Sequence, residues 1–171
     1  MALTVDVGVT ELAATRFAIS PLSETVAGLQ QLAGQDRNTA HLRWLRWAKD
    51  ELIHEPLDLT YTRALLVSDR PNWPEFLVPA PTGPGASIDD DVAALQRTTD
   101  RQVRSSLRRV FGDALPDAAV ALADRPESGL MAIGNELRMS YERLIAPHWP
   151  RIRAVLEADV SHRARRLALG E

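Results

Sequence analysis

Apolar residues recur every three or four positions through most of this chain, the spacing of helices that bury one face. The best-defined start is Ser20-Pro21, where a serine that can cap a helix precedes a proline suited to its first turn. The stripe that follows stops at Gly34, a residue type common at helix ends. Similar stripes predict helices over residues 11 to 17, about 38 to 53, 57 to 68, 117 to 123, and 149 towards 169.

One segment has a different period. Residues Leu3–Val9 alternate apolar and polar side chains, as a strand with one buried face does. A lone strand leaves its backbone donors and acceptors unpaired. Its partner is an internal segment (residues 57–61 are a weak candidate), another chain, or residues beyond this one. The predicted fold is therefore mainly α: a multi-helix bundle with one short N-terminal β-strand.

The longest predicted helix follows Ser87, a good capping residue. An apolar stripe continues from Ile88 to Val110, which predicts one helix of about 25 residues. The three aspartates at positions 89–91 are expected to favour its N-terminus, because the helix dipole is positive there.

The next long helix is predicted from a capping signal. Asp124 and Glu127 have the spacing of a capping box, and Pro126 suits the first turn. Pro147 and Pro150 are expected to end this helix, because proline lacks the backbone N–H that continues a helix.

Residues 71–86 contain five prolines and two glycines, which predicts a long surface loop, and the run at 79–85 excludes regular structure. Trp73, Phe76 and Leu77 are expected to hold the first half of this loop against the body. Neither flanking half is large enough for a comfortable core of its own, whereas 171 residues suit one domain of ordinary size. We therefore interpret residues 1–171 as a single helical domain with an internal Pro/Gly-rich loop.

Composition excludes several classes of function. The chain has no cysteine, which excludes disulfides and thiolate metal sites. A net charge of −3 gives no overall basic footprint for nucleic acid. The N-terminal residues do not resemble a secretory signal, and no apolar run approaches the ~20 residues of a membrane span. We expect a cytoplasmic protein with no membrane contact.

No pattern indicates catalysis. The sequence lacks a nucleophile elbow, a phosphate-binding loop and a dinucleotide fingerprint. Gly129 and Gly134 are interpreted as places where helices approach closely. Asp159 and His162 have a spacing that metal ligands can use, but Asp159 is more simply paired with Arg163 four residues later. We predict that the chain is not an enzyme and has no catalytic residue, metal or cofactor.

The aromatic residues leave two interpretations open. In the segment HLRWLRW, residues 41–47, the two tryptophans widen the apolar face of a helix. Such a helix packs on two sides, or it forms an aromatic wall for a small ligand, since ligand pockets are mostly apolar with a few polar groups. The candidate ligand-binding residues are His41, Trp44, Trp73, Tyr141 and Trp149.

The last predicted helix is the most basic segment. Its charged residues are Arg151, Arg153, Glu157, Asp159, Arg163, Arg165 and Arg166. The simpler interpretation is a solvated helix face. The alternative is that the arginines at 163–166 approach phosphates or an acidic partner.

Two stretches resemble a known family. Residues 10–26, TELAATRFAISPLSETV, are similar to the opening of ArsR-like winged-helix transcriptional regulators of high-GC bacteria, in which DLARTRFAxSPLWET follows an N-terminal strand. Residues 148–164 resemble the same regulators through the pattern W-x-x-I-x-x-x-L-x-x-D-x-x-x-R, which begins at Trp149. Ser23 stands where the family pattern has tryptophan, a departure that concerns packing.

The resemblance implies an N-terminal regulatory domain whose DNA-binding winged helix lies beyond Glu171, together with the partners of the predicted strand. Such a domain is expected to form a homodimer, to sense a small hydrophobic effector, or both, and to reach DNA only through the missing C-terminal domain. The alternative is a stand-alone helical small-molecule-binding protein or enzyme.

Overall fold

A computed structural model describes residues 17–34, 41–68, 70 and 72–168, and the described part of the chain is mainly helical, as predicted. The predicted strand Leu3–Val9 and most of the helix predicted at 11 to 17 lie outside these residues. The helices are α1 (Pro21–Leu32), α2 (Leu42–His54), α3 (Thr60–Leu66), α4 (Ile88–Gln96), α5 (Asp100–Phe111), α6 (Asp117–Asp124), α7 (Pro126–Ser140) and α8 (Trp149–Ala168). Thr60 begins a helix, so residues 57–61, the weak candidate for the strand partner, do not form a strand themselves.

Helix α7 lies at the centre of the bundle and packs against α1, α3, α4 and α6. Leu130, Ile133 and Leu137 form its main apolar face and are almost completely buried. Its two glycines confirm the predicted close approaches. A Cβ atom at Gly129 would collide with Leu122 of α6, and one at Gly134 would lie 2.9 Å from Val92 of α4.

The predicted helix of about 25 residues is wrong in one respect: it is two helices, α4 and α5. The chain breaks at residues 97–99, where Thr99 adopts an extended conformation. Thr99 Oγ1 accepts the Gln102 backbone N–H at 3.3 Å, and Gln102 Oε1 accepts the Thr99 backbone N–H at 2.9 Å. This capping box starts α5, and it was hidden because the apolar stripe continues through Thr99.

The predicted capping box at Asp124 and Glu127 is also wrong. Asp124 is the last residue of α6, and Arg125 is the residue that precedes α7. No side chain caps α7, but Pro126 occupies its first turn as expected. Two helices that meet at a single residue leave no room for an extended capping segment.

The Pro/Gly-rich segment is irregular as predicted, apart from the short 3₁₀ turn Glu75–Leu77. Phe76 and Leu77 are buried and Trp73 packs against the core, which confirms that the first half is held to the body. The Glu75 backbone N–H donates to Ser106 Oγ of α5 at 3.2 Å. In the described part of the chain, no helix combines the length and apolar character needed to cross a bilayer.

Candidate functional site

The helices α7 and α8 are joined by an irregular segment that we call the joint, residues 141–148. It consists of the π turn Tyr141–Ile145 and the 3₁₀ turn Ala146–His148. Pro147 stands where the helix is interrupted, as predicted. Because π turns are rare and occur often at functional positions, the joint is the strongest candidate for a site.

Trp44 of α2 reaches the joint directly. Its indole Nε1–H donates to the Leu144 carbonyl oxygen at 2.9 Å. The far edge of the ring covers Gly28 of α1, where a Cβ atom would lie 2.9 Å from Cη2. The single side chain of Trp44 therefore connects α1, α2 and the joint.

The space around the Trp44 ring is filled. It is lined by Thr25, Gly28, Leu29, Trp44, Ser140, Leu144 and Ile145, and it has no room for a water molecule. The Trp44 ring and its neighbours leave no space among them for a small ligand. A ligand can enter this space only if the ring moves out.

Two further aromatic pairs belong to the joint. The rings of Trp47 and His148 meet edge to face, with 4.5 Å between their centroids and 83° between their planes. Tyr141 and Trp149 meet in the same manner at 6.0 Å and 74°. We call the aromatic residues at the joint (Trp44, Trp47, Tyr141, His148 and Trp149) the aromatic cluster. The sequence analysis did not select Trp47 and His148 as candidate site residues.

Two polar groups in this cluster are unusual. His148 Nε2 is buried and has no hydrogen-bond partner. Partial burial raises the pKa of the Tyr141 hydroxyl above its usual value of 10.0. Tyr141 therefore stays neutral at physiological pH and contributes a ring with a hydroxyl, not a charge.

His41 lies at the start of α2, exposed to solvent, and not inside the cluster. Its electrostatic partner is Glu24 in the first turn of α1. Burial raises the pKa of the Glu24 carboxyl, and the positive form of His41 partly offsets that rise. His41 therefore acts on the Glu24 carboxyl of α1 and not on the aromatic residues of the joint.

Trp73 is not part of the joint. It precedes the 3₁₀ turn that packs on α5, and its ring takes part in neither of the two aromatic pairs found among the described residues. Of the five candidate ligand-binding residues, Tyr141 and Trp149 pack on each other, and Trp44 contacts the joint separately, at Leu144. His41 lies at the start of the helix that carries Trp44, and Trp73 lies elsewhere.

The structure reveals a buried carboxylate whose role the sequence did not indicate. Asp91, in the first turn of α4, is only 1% exposed. Its Oδ2 accepts the Ser20 hydroxyl at 2.7 Å and the Leu22 backbone N–H at 3.2 Å. It therefore stabilises the N-terminus of α1, whereas Asp90 caps its own helix with Ser87.

Glu136 of α7 does the same for α3. Its two carboxylate oxygens accept the backbone N–H groups of Tyr61 and Thr62, at 3.1 and 2.7 Å. Both oxygens are therefore occupied in holding a helix start. This geometry supports structural capping of α3.

In the part of the chain that the structure describes, no cluster of three or more His, Asp or Glu side chains is arranged to hold a metal ion. Asp159 Oδ2 instead accepts the Arg163 Nε–H at 2.7 Å, as predicted. Comparison of the chain with family models, curated proteins and solved structures finds no match. The resemblance to ArsR-like regulators therefore rests on the two sequence stretches alone.

Proposed function

We propose that the chain is the N-terminal regulatory domain of an ArsR-like transcriptional regulator. In this proposal it works in the cytoplasm as a homodimer, senses a small hydrophobic effector, and reaches DNA through a winged helix that follows this domain. It performs no chemistry of its own.

One observation carries the proposal: the two resembling stretches contain residues that connect helices of the bundle at two places. Ser20 and Leu22, from the first stretch, are the groups that Asp91 binds. Trp149 and Ile152, from the second stretch, pack where α8 leaves the core. A sequence pattern shared by a family for structural reasons is expected at such positions.

The joint offers a route for signalling. An effector that takes the place of the Trp44 ring would break its hydrogen bond to Leu144 and free the joint. Because α8 starts at the end of the joint, its direction would change with the packing beneath it. A ligand that prefers one arrangement shifts the population towards it. The spacing of two DNA-reading domains would change accordingly.

The first test is the coding sequence downstream of Glu171 together with DNA binding by the full protein. We expect a winged-helix domain in the same reading frame, and a gel shift with DNA from upstream of its gene. A reading frame that ends without a DNA-binding domain would contradict the proposal and favour a stand-alone binding protein.

The second test addresses sensing. A library of small hydrophobic compounds is screened for quenching of tryptophan fluorescence, and hits are tested for release of the full protein from DNA. Trp44→Phe should abolish the response to a hit, whereas Trp73→Phe should keep it, since Trp73 lies outside the joint. A library in which no compound quenches fluorescence would count against the sensing role.

A further inference from the structure

The outer face of α5 is strongly basic, although the chain as a whole has a net charge of −3. The buried side of this helix consists of Val103, Ser106, Leu107 and Phe111. Successive helix residues are about 100° apart, so Arg101, Ser105 and Arg108 lie on the opposite side and Arg104 lies at its edge. All four are exposed. We call Arg101, Arg104 and Arg108 the α5 basic face.

The positive charges of this face are hardly neutralised by the chain. The side chains of Arg101 and Arg108 have no hydrogen bond or ion pair within the part of the chain that the structure describes. Arg104 donates its Nε–H to the Ala123 carbonyl oxygen at 2.9 Å. It also lies 3.8 Å from the Asp100 carboxylate, which is 62% exposed, and a pair of exposed charges at this distance is worth little. The α5 basic face is therefore open to an anionic partner.

Helix stability explains Arg108 but not Arg101. Arg108 lies in the last turn of α5, where a positive charge is favourable because the helix dipole is negative there. Arg101 lies in the first turn, where the dipole is positive and an unpaired cation is unfavourable. A partner that supplies negative charge beside Arg101 would remove this unfavourable interaction.

The surface of α5 offers charge without apolar contact. Among the described residues, the large apolar side chains with marked exposure all lie outside α5. Interfaces between proteins have an apolar, aromatic-rich centre, which this helix lacks. Single-stranded nucleic acids are held by stacking on aromatic side chains, and Phe111, the aromatic residue of α5, is buried. The partner that fits is a regular row of negative charges, as on the backbone of a nucleic-acid duplex.

We propose that the α5 basic face binds the phosphate backbone of double-stranded DNA without reading its sequence. A guanidinium group can donate two parallel hydrogen bonds to one phosphate. The helix rises about 10 Å from Arg101 to Arg108, and each DNA strand carries a phosphate every ~3.4 Å along the duplex axis. Several phosphates therefore lie within reach of the three side chains. This contact goes beyond the proposed function, in which DNA is reached through a domain that follows this chain.

Fluorescence anisotropy of the 171-residue chain with a short labelled duplex tests the proposal. At low salt the chain should bind two unrelated sequences equally well. Each phosphate contact releases bound counterions, so the logarithm of the binding constant falls linearly with the logarithm of the salt concentration. The double variant Arg101→Gln, Arg108→Gln should weaken binding by about tenfold or more at low salt, and should make that slope shallower by about 2. No binding of the original chain at low salt would overturn the proposal.

A double variant in α8 is the matched control. Arg153→Gln, Arg163→Gln removes the same charge from side chains that are 55% and 64% exposed. It should change the affinity and the salt slope far less than the α5 variant does. Circular dichroism confirms that both variants are folded. Equal losses in the two variants would show that overall charge, and not the α5 basic face, determines binding, and would overturn the proposal.

Vesicles that contain phosphatidylserine are the second probe, because an anionic lipid surface also attracts arginine side chains. The chain should bind the duplex and not sediment with the vesicles at the same salt concentration. Binding to the vesicles as tight as binding to the duplex would overturn the assignment to DNA.

The outcomes also separate this inference from the proposed function. The chain under test lacks the expected winged helix, so a failure to bind DNA leaves that proposal intact. A reading frame that ends without a DNA-binding domain contradicts the proposed function and leaves a DNA contact measured at α5 standing.

Discussion

Helices α7 and α8 follow one another along the chain and differ in almost every respect. The 15 residues of α7 include eight buried ones and contact most of the bundle. The 20 residues of α8 include none that is buried between positions 150 and 166. Both have enough helix-forming residues to be recognised from sequence.

The difference shows that periodicity predicts a helix but not what stabilises it. Burial of apolar residues stabilises α7, whereas α8 beyond Ile152 depends on its intrahelical ion pairs. Isolated helices shorter than about 12–15 residues are marginal in water, and residues 153–166, the part of α8 without a buried residue, are about this long. Matched substitutions in the two helices should therefore differ in how much they lower the free energy of unfolding.

Removal of a buried side chain should separate the two helices most clearly. Leu137 of α7 is completely buried, and Leu137→Ala should lower the free energy of unfolding by about 2–5 kcal/mol, because it leaves a cavity. Leu156→Ala in α8, measured at concentrations at which the chain is monomeric, should cost less than about 1 kcal/mol. Urea unfolding followed by circular dichroism measures both. Equal losses would contradict the contrast.

Replacing a carboxylate by its amide should also lower the free energy of unfolding more in α7 than in α8. Glu136→Gln replaces an oxygen that accepts a backbone N–H with an amino group that cannot, and should cost about 1–3 kcal/mol. Asp159→Asn is the matched change in α8, where the ion pair with Arg163 is about half exposed, and should cost no more than about 0.5 kcal/mol. A larger loss for Asp159→Asn in urea titrations would show that α8 is packed more tightly than its exposure indicates.

Adding a methyl group to α7 and removing one from α8 should both lower the free energy of unfolding, for different reasons. Gly134→Ala in α7 brings a Cβ atom within 2.9 Å of Val92, and we expect a net loss of about 1 kcal/mol despite the better helix propensity of alanine. Ala154→Gly in exposed α8 should cost about 0.5–1 kcal/mol through propensity alone. Thermal unfolding measures both variants. Stabilisation by Gly134→Ala would mean that α4 and α7 approach less closely.

The smallest expected effect concerns pH. Because burial raises the pKa of Glu24 above 4.5, the folded chain holds this proton more tightly than the unfolded chain, and the contribution of Glu24 to stability falls as pH rises through the raised pKa. Glu24→Gln should therefore gain stability relative to the original chain between pH 4.5 and neutrality. His41→Gln is the control. It removes the positive charge that partly offsets the rise of the Glu24 pKa, so the loss of stability over this pH range should be larger. The opposite trend in urea midpoints would show that Glu24 is stabilised as an anion.

Local sequence signals predicted the start and end of several elements. Ser20 accepts the Ser23 backbone N–H at 3.0 Å and so caps α1. Gly34 has a φ of 79°, the left-handed conformation that ends a helix. Thr99 and Gln102 also form a local signal, but the continuous apolar stripe concealed it. These features depend on residues three or four apart, which a sequence displays directly.

The site depends on contacts that no local pattern contains. Trp44 and Leu144 are 100 positions apart, and Asp91 and Ser20 are 71 apart. The aromatic pattern at residues 41–47 predicts a wide apolar face, but it does not name the group that accepts the indole proton. Burial and capping by distant carboxylates follow from the packing of whole helices, so they become visible only in the fold.

Amide hydrogen exchange at two protein concentrations tests the contrast between α7 and α8 most directly. We expect α7 to be strongly protected at both concentrations, and residues 153–166 of α8 to be weakly protected at the lower concentration, at which the chain is monomeric. Equal and strong protection of α8 at both concentrations would show that the chain covers this helix by itself, and would contradict its attachment to the bundle at one end only.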